Sequence, residues 1–275
     1  MKIETLKISG SIVLFKNEEN ILQDAIASFL NTDLNVLLYL IDNSPTDILR
    51  RINEDERIIY IHNPANPGFG ASHNRAIKES IKDGAAFHFV LNPDVIFKSE
   101  VVDRMVDYLI QNADVGMLMP GILNEDNSIQ HLPKILPTPL SIVKRILNRK
   151  FNLFEKYINN YELRSVPSTS IYNTPILSGC FTLFRVDAIK EIGLYDDRFF
   201  MYFEDWDISR RMAEKYRTVY FPEVSIIHGY ESGANKSKRL FKIFVRSYFH
   251  YFNKWGWFFD KNRNAINQKT LSQFK

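Results

Sequence analysis

The stretch Phe87-His88-Phe89-Val90-Leu91-Asn92-Pro93-Asp94-Val95 decides how this chain folds. A short, nearly continuous apolar run suits a strand buried on both faces of a sheet, and it ends in a proline-stiffened turn carrying a carboxylate. Toward the N-terminus, Ser72 to Ile81 predicts a helix preceded by Asn66-Pro67-Gly68-Phe69-Gly70, and Arg57 to Ile61 predicts a strand ending at Asn63-Pro64. Val36 to Ile41 is another apolar run, closed by Asp42-Asn43-Ser44-Pro45. Ile8 to Phe15 predicts the first strand, with Asn17 as N-cap of a helix whose apolar face is Ile21, Leu22, Ala25, Ile26, Phe29 and Leu30. Strand, helix, strand, strand, helix, strand is the signature of a mainly parallel sheet with helices on its faces, an α/β class. Ligands of such sheets gather at the carboxyl ends of the strands. Asp42, the Gly68 loop and Asp94 all lie just past apolar runs.

The middle of the chain is less regular. Pro133, Pro137 and Pro139 interrupt it, and Lys134 to Arg164 holds seven basic and two acidic residues, read as short helices or a loop. Order resumes from Ile176 to His228: the Ser178-Gly179-Cys180-Phe181 segment, a helix near Val186 to Ile192, an acidic cluster, a helix from Asp207 to Lys215, and strands at Val219 and Ile226. This divides the chain into a body, 1–230, with a first half to residue 95 and a second over 96–230, and a tail, 231–275. No internal repeat is visible.

The 275 residues, 45% hydrophobic and 24% charged, exclude collagen-like, low-complexity and mostly disordered chains. The N-terminal residues lack a signal-peptide pattern, so a cytoplasmic protein is expected. The single cysteine, Cys180, excludes an internal disulfide and a cysteine-ligated zinc site, and fits a reducing compartment. No run of about 18 apolar residues is present to span a bilayer. The net charge of +3 conceals an asymmetry: residues 231–275 hold ten Lys/Arg against two Asp/Glu, a balance of +8, which leaves −5 for the rest.

Three groups stand out for chemistry. Asp94, at the open end of a buried strand, suits a ligand for a hard cation that in turn holds a diphosphate, although Asn-Pro-Asp is also a common turn. Within Phe199-Phe200-Met201-Tyr202-Phe203-Glu204-Asp205-Trp206-Asp207, three carboxylates in an apolar setting acquire raised pKa values useful for a general base. Asp207 reads as a helix N-terminal cap, leaving Glu204 and Asp205 for chemistry. His228 ends an apolar run and suits either a cation or phosphate ligand or a structural role; His88, inside a strand, reads as structural. The Gly68 to Gly70 loop lacks the residues of a P-loop and the third glycine of a dinucleotide fingerprint.

In this order the segments Ile41-Asp42-Asn43-Ser44, Asn66-Pro67-Gly68-Phe69-Gly70-Ala71-Ser72-His73-Asn74, Leu91-Asn92-Pro93-Asp94, Ser178-Gly179-Cys180-Phe181, Gly193 through Asp207, and His228 resemble family 2 glycosyltransferases of the GT-A fold, particularly bacterial rhamnosyltransferase-like members. The resemblance covers roughly Ile8 to Tyr230. It implies transfer of a sugar from a nucleotide diphosphate to an acceptor hydroxyl, with inversion at the anomeric carbon. By position, Asp42 and Asn43 would contact the nucleotide; Gly68, Phe69, Gly70 and Asn74 would line the donor pocket with Asn92. Asp94 and His228 would serve Mg²⁺ or Mn²⁺, and Asp205, with Glu204 beside it, would be the base. L-Rhamnose carried on dTDP is the implied donor, with a UDP-hexose behind it. Implied acceptors are glycans or polyprenyl-diphosphate-linked glycans of bacterial surface polysaccharide synthesis, such as O-antigen or capsule. Asn92 departs from the Asp-any-Asp pattern of many relatives and removes one negative charge from the cation site; Lys236 or Arg239 could take part of the diphosphate charge.

The tail is expected to form an amphipathic helix. Ten of the nineteen residues from Phe241 to Phe259 are aromatic. Phe241, Phe244, Tyr248, Tyr251, Phe252 and Trp255 share one side, Arg239, Lys242, Arg246, His250 and Asn253 the other, and Gly256 offers a stop. The stripe can pack on the body, or lie in the anionic cytoplasmic face of the inner membrane as a peripheral anchor. A nucleic-acid partner is not expected, because the acidic body would repel it. A non-catalytic nucleotide-sugar-binding protein at the membrane is a rival that the joint presence of Asp94, Glu204 and Asp205 argues against. A sugar nucleotidyltransferase would need a glycine- and lysine-rich loop after the first strand, which Ser11 to Asn17 does not supply.

Overall fold

In the computed structural model, which describes residues 6–52, 54–229 and 237–275, the strand Ile8–Leu14 (β1) lies between two parallel partners. Val36–Asp42 (β2) pairs on one side and Phe87–Leu91 (β4) on the other, while Ile58–His62 (β3) extends the parallel half beyond β2. Every residue of β4 is buried, which explains its unbroken apolar run. The connecting helices are Glu19–Leu30 (α1) and Phe69–Lys82 (α2). Helix α1 buries Leu22, Ala25, Ile26, Phe29 and Leu30, while Ile21 is exposed. The cap expected at Asn17 is not made. Glu18 occupies the cap position, and Asn17 Oδ1 instead accepts the Phe15 N–H at 2.8 Å, an Asn side chain satisfying its own local turn.

Beyond β4 the sheet becomes mixed. Phe181–Arg185 (β8) runs antiparallel to β4, Val115–Leu123 (β6) antiparallel to β8, and Arg217–His228 (β9) parallel to β6. The short strands Val95–Ile96 (β5) and Tyr172–Asn173 (β7) each pair antiparallel with β9. Among the described residues the order is β3-β2-β1-β4-β8-β6-β9-β5, with β7 on the side of β9. The two strands expected at Val219 and Ile226 are the single strand β9. Its register against β6 shifts where Pro222 lies, since proline has no N–H to give the ladder.

Helix Glu100–Gln111 (α3) and β6 fill the span for which no elements were expected; α3 buries Val101, Val102, Met105, Val106 and Leu109 at helical spacing. Lys134 to Arg164 contains two helices, Pro139–Phe151 (α4), opened by a Thr138/Ser141 capping box, and Glu155–Tyr161 (α5). Val186–Ile192 (α6) lies where expected, and Glu204–Ala213 (α7) begins three residues before the expected Asp207.

The tail helix is Lys238–Trp255 (α8), stopped at Gly256 with φ +98°, and is followed by Arg263–Leu271 (α9). The aromatic stripe packs on the body: Tyr251 and Phe252 are buried with Phe199 and Phe203, and Phe244, Tyr248 and Trp255 pack around them. Phe241, expected on that stripe, is 54% exposed. The packing is reinforced by ions. The Arg210 guanidinium donates twice to Asp260, both contacts 2.6 Å, and lies 3.9 Å over the Trp255 ring. Among the described residues no helix is long and apolar enough to cross a membrane.

Candidate active site

Topology brings Asp94 and His228 together. Strand β5 pairs with the end of β9 so that Val95 faces His228, and the Gly229 N–H donates to the Asp94 carbonyl at 3.0 Å. Asp94 Oδ1 lies 3.5 Å from His228 Nε2, and Asn92 Nδ2 donates to the same nitrogen at 3.0 Å. Gln130 Nε2 is committed to the His228 carbonyl at 2.9 Å, so its Oε1 faces His228 Nδ1 at 3.2 Å. That arrangement puts the ring proton on Nδ1 and leaves Nε2 the acceptor, the tautomer a metal ligand requires. Burial holds the His228 pKa below the usual histidine value against the pull of Asp94. Burial also raises Asp94, partly offset by His228.

Two donors converging at 3.5 Å fit one edge of an octahedral shell, whose ligand–ligand edge is about 3 Å for Mg²⁺. Among the described residues no group of three or more His, Cys, Asp and Glu could enclose an ion. The pair therefore suits a cation that draws its remaining ligands from water and a diphosphate.

The second cluster forms at the start of α7. Tyr202 and Phe203 both adopt left-handed backbone, φ 70° and 68°, immediately before Glu204 and Asp205. Two successive non-glycine residues in this region cost about 1–3 kcal/mol each. Aromatic packing holds them: the Phe203 ring lies 4.7 Å from Trp206, 5.3 Å from Phe244 and 5.6 Å from Tyr251. Ser247 Oγ, from α8, donates to the Met201 carbonyl at 2.8 Å. The tail thus braces the segment that carries the carboxylates.

Asp205 and Glu204 differ although adjacent. Asp205 Oδ1 accepts the Trp206 N–H at 2.9 Å and Oδ2 the Gly179 N–H at 3.3 Å. Burial raises its pKa, while Lys134 and these N–H donors oppose the rise. Glu204 is 5% exposed, and its Oε2 has no hydrogen-bond partner among the described residues. Burial, then the neighbouring Asp205 charge, push the Glu204 carboxyl well above the ordinary range, which favours its neutral form.

Glu204 and Asp205 line a cavity of about 300 Å³ together with Phe69, Asn92, Lys134 and His228. Lys134 is a residue that sequence reasoning missed: its ammonium is buried, donates to the Leu132 carbonyl at 2.6 Å and lies 5.7 Å from the centre of the Trp206 ring. A lone charge within Leu132-Pro133-Lys134-Ile135-Leu136 was the available signal. Burial lowers its pKa to about 8. Gln130, which fixes His228, was likewise unforeseen. Cys180 also lines the cavity, but burial pushes its thiol up to about 12, so it is no nucleophile at neutral pH.

Asp207 is not a cap. It is fully buried, accepts from Trp255 Nε1 at 2.9 Å and Arg211 Nε at 3.0 Å, and lies 2.6 Å from Lys254 Nζ. With the N-cap residue Phe203 in the left-handed region, α7 begins without a side-chain cap, and Asp207 becomes the anchor of α8.

The remaining expected residues form the framework beneath this cavity. Asp42 is fully buried, accepting from the Ser44 N–H and the Tyr60 hydroxyl, and Asn43 bonds Ser72 and Asn63. Gly68 has φ +109°, and a Cβ there would meet the Phe200 carbonyl at 2.2 Å; the Phe69 N–H donates to that same oxygen. Glycine is required at 68 because α2 starts against the Phe200 backbone, which leads into Glu204 and Asp205. A Cβ at Gly70 would meet Tyr195 at 2.9 Å, and Asn74 clasps the Tyr195 backbone from both sides and donates to Asp197. Of these, Phe69 lines the cavity; Asp42, Asn43, Gly68, Gly70 and Asn74 do not. Arg239 sits exposed in the first turn of α8, and Lys236 lies outside the described residues.

Residues 11–193 match the family described as Glycosyl transferase family 2. An N-acetylglucosaminyl-diphospho-decaprenol L-rhamnosyltransferase of Mycobacterium tuberculosis is 27% identical over 213 residues, covering 72% of this chain and 68% of the relative. Rhamnosyltransferase WbbL of Escherichia coli is 22% identical over 254 residues, 87% of this chain and 90% of the relative. Among solved structures, the mannosyltransferase PcManGT of Pyrobaculum calidifontis, in complex with GDP-Man and Mn²⁺, superposes with a TM-score of 0.61 at 13% identity, over 97% of this chain and 70% of that one. GalNAc-T7 with UDP, GalNAc and Mn²⁺ gives 0.60 at 15% identity, over 83% of this chain and 44% of that one. These structures share a fold with it, and that fold is GT-A-like.

Proposed function

Because the chain belongs to glycosyl transferase family 2 and is a nucleotide-sugar glycosyltransferase, we propose that it transfers L-rhamnose from dTDP-rhamnose, with inversion, to a polyprenyl-diphosphate-linked glycan in bacterial surface polysaccharide synthesis. The observation that carries the mechanism is the pair of adjacent buried carboxyls facing one cavity with unequal partners, Asp205 bonded by two backbone N–H groups and Glu204 left with an orphan oxygen. Environments that push two neighbouring carboxyls apart separate their roles. Asp205, whose ionised form its N–H donors and the Lys134 charge favour, takes the proton of the acceptor hydroxyl. The acceptor oxygen attacks the anomeric carbon as the bond to the diphosphate breaks on the opposite face. Glu204, whose neutral form burial favours, offers a hydrogen bond to a hydroxyl of the donor sugar. Asp94 and His228 would hold Mg²⁺ or Mn²⁺, which when bound supplies Lewis-acid stabilisation of the leaving diphosphate. The Asn92 amide, now donating to His228, would turn its oxygen toward that site. Asp42, Asn43 and the Gly68 to Asn74 segment set the shape of the nucleotide end by holding β2 and α2.

The rhamnosyltransferase names of two relatives support the donor, and the mycobacterial one names a lipid diphosphate acceptor. Action at the cytoplasmic face of an anionic membrane is supported by α4, which exposes Leu140, Val143, Ile146 and Phe151 among four basic and no acidic residues. On α8, Phe241 and Phe249 are half exposed, and after it Phe258 and Phe259 are almost fully so. A panel of dTDP-rhamnose, UDP-glucose, UDP-galactose and GDP-mannose, assayed by thermal shift with and without Mn²⁺, tests the donor. dTDP-rhamnose is expected to stabilise most, by mass action, and a larger shift with a UDP-hexose would replace rhamnose by hexose.

A further inference from the structure

A second cavity, of about 330 Å³, opens beside the catalytic one and shares Leu132 and Arg145 with it as a common wall. Its floor is Glu162, whose carboxylate is 3% exposed. Arg145 Nε donates to one oxygen of Glu162 at 2.7 Å, and Arg164 Nε to the other at 2.9 Å. The glutamate therefore fixes two guanidinium groups at the rim. Arg149, one helical turn beyond Arg145, lines the same cavity and makes no ion pair with the described residues. Three guanidinium groups and one carboxylate line the cavity, and Arg149 stands outside the Glu162 pairs, a setting suited to a bidentate oxyanion. His131, also in the wall, is held below the usual histidine value by burial and adds no charge at neutral pH.

Nothing in the transfer mechanism uses these groups. They lie on α4, on the approach to it and after α5, whereas Asp42, Asp94 and His228 of the donor side lie at or just past the ends of β2, β4 and β9, with Gln130 of this cavity bonded to His228. The helix that supplies Arg145 and Arg149 also exposes Leu140, Val143, Ile146 and Phe151. A ligand with an anionic diphosphate and an apolar chain finds both chemistries on this one helix.

We propose that this cavity is the subsite for the acceptor's diphosphate, with Arg149 and Arg164 as its binding residues. The inference rests on the lipid-linked acceptor proposed above and narrows it. Leu132 and Arg145 line both cavities, so a diphosphate held here presents the glycan attached to it toward the cavity that holds Asp205.

Binding measured without turnover separates this inference from the transfer reaction. In calorimetric titrations without membranes, a short-chain prenyl diphosphate is expected to bind the full chain, and the corresponding prenyl alcohol to bind at least tenfold more weakly. Arg149→Ala and Arg164→Ala should each weaken diphosphate binding about tenfold, as loss of a charge-assisted contact predicts. Neither variant should move the affinity for nucleotide sugar, measured in the same way. Equal binding of the diphosphate by the wild type and the double variant would overturn the subsite. So would equally tight, arginine-dependent binding of dihexanoyl phosphatidylglycerol, which would make the cavity a headgroup site. If donor binding fails while the arginine-dependent diphosphate binding stands, the proposed transfer is wrong and the subsite is not.

Discussion

The parallel half of the sheet and the α7 region treat their buried polar groups in opposite ways. Around β1, β2 and α2, the buried carboxyl, amide and hydroxyl groups of Asp42, Asn43, Ser72 and Asn74 are each hydrogen-bonded within the framework, with His73 Nε2 the exception, unpartnered among the described residues. Around α7, Glu204 Oε2 is orphaned, Lys134 is a buried cation, and two aromatic residues hold left-handed backbone. A satisfied network contributes stability and a unique packing, whereas an unsatisfied one persists where a ligand completes it. The first half is thus the frame and the second the instrument, and conserving one does not substitute for the other.

That contrast can be broken most sharply at Asp205. Asp205→Asn should lower kcat by about 10³-fold or more while leaving the donor dissociation constant within a few-fold, whereas Glu204→Gln, which keeps a neutral hydrogen-bonding group, should cost no more than about tenfold. Steady-state kinetics with calorimetric donor binding decides it; equal losses in the two variants would erase the division of roles. A framework change should act differently. Asn74→Ala is expected to cost about 2 kcal/mol in urea unfolding, with kcat of the folded fraction nearly unchanged.

The brace between α8 and α7 joins the two behaviours. Asp207→Asn leaves Lys254 and Arg211 short of a counter-charge and should destabilise by about 3 kcal/mol, with kcat falling together with stability. If kcat of the folded protein is unaffected, the tail is not what holds the catalytic segment.

Two pH effects sharpen the comparison. As the proposed base Asp205 acts when ionised; burial raises its pKa and Lys134 lowers it, so the acid limb of kcat should lie above the ordinary carboxylate range. Lys134→Met removes the opposing charge and should move that limb to higher pH. In the frame, His88 is buried between Ser9 and Ser11, and burial lowers its pKa to about 3. The unfolded chain takes up this proton near pH 6.5 and the folded one does not. Stability is therefore complete above that pH and falls as pH drops toward 3, by at most about 1.4 kcal/mol per pH unit. His88→Gln should flatten this slope in urea unfolding at pH 7, 6 and 5.

Much of the frame was legible because local pattern and tertiary role coincide there. β4 and α6 match the expected spans residue for residue, and α1 and α2 fall within a few residues of theirs. The site was legible as a set of residues but not as an arrangement. Asp207 has the acidic, helix-initiating look of a cap, and only contact with a helix some fifty residues downstream makes it an anchor. The tail's stripe has the spacing of either a buried or a lipid-facing helix, and periodicity alone does not distinguish the two environments. Lys134 depends on Asp205 and Trp206, far away in sequence, and no local pattern encodes such a meeting.

The aromatic cluster around Phe203 has a practical consequence. The chain has three tryptophans, and all of them, Trp206, Trp255 and Trp257, belong to this one cluster, with Trp206 on the wall of the catalytic cavity. The parallel half is spectroscopically silent at tryptophan wavelengths. Intrinsic fluorescence of the unlabelled protein is therefore a local signal, reporting ligand entry and the seating of α8 without interference from the frame.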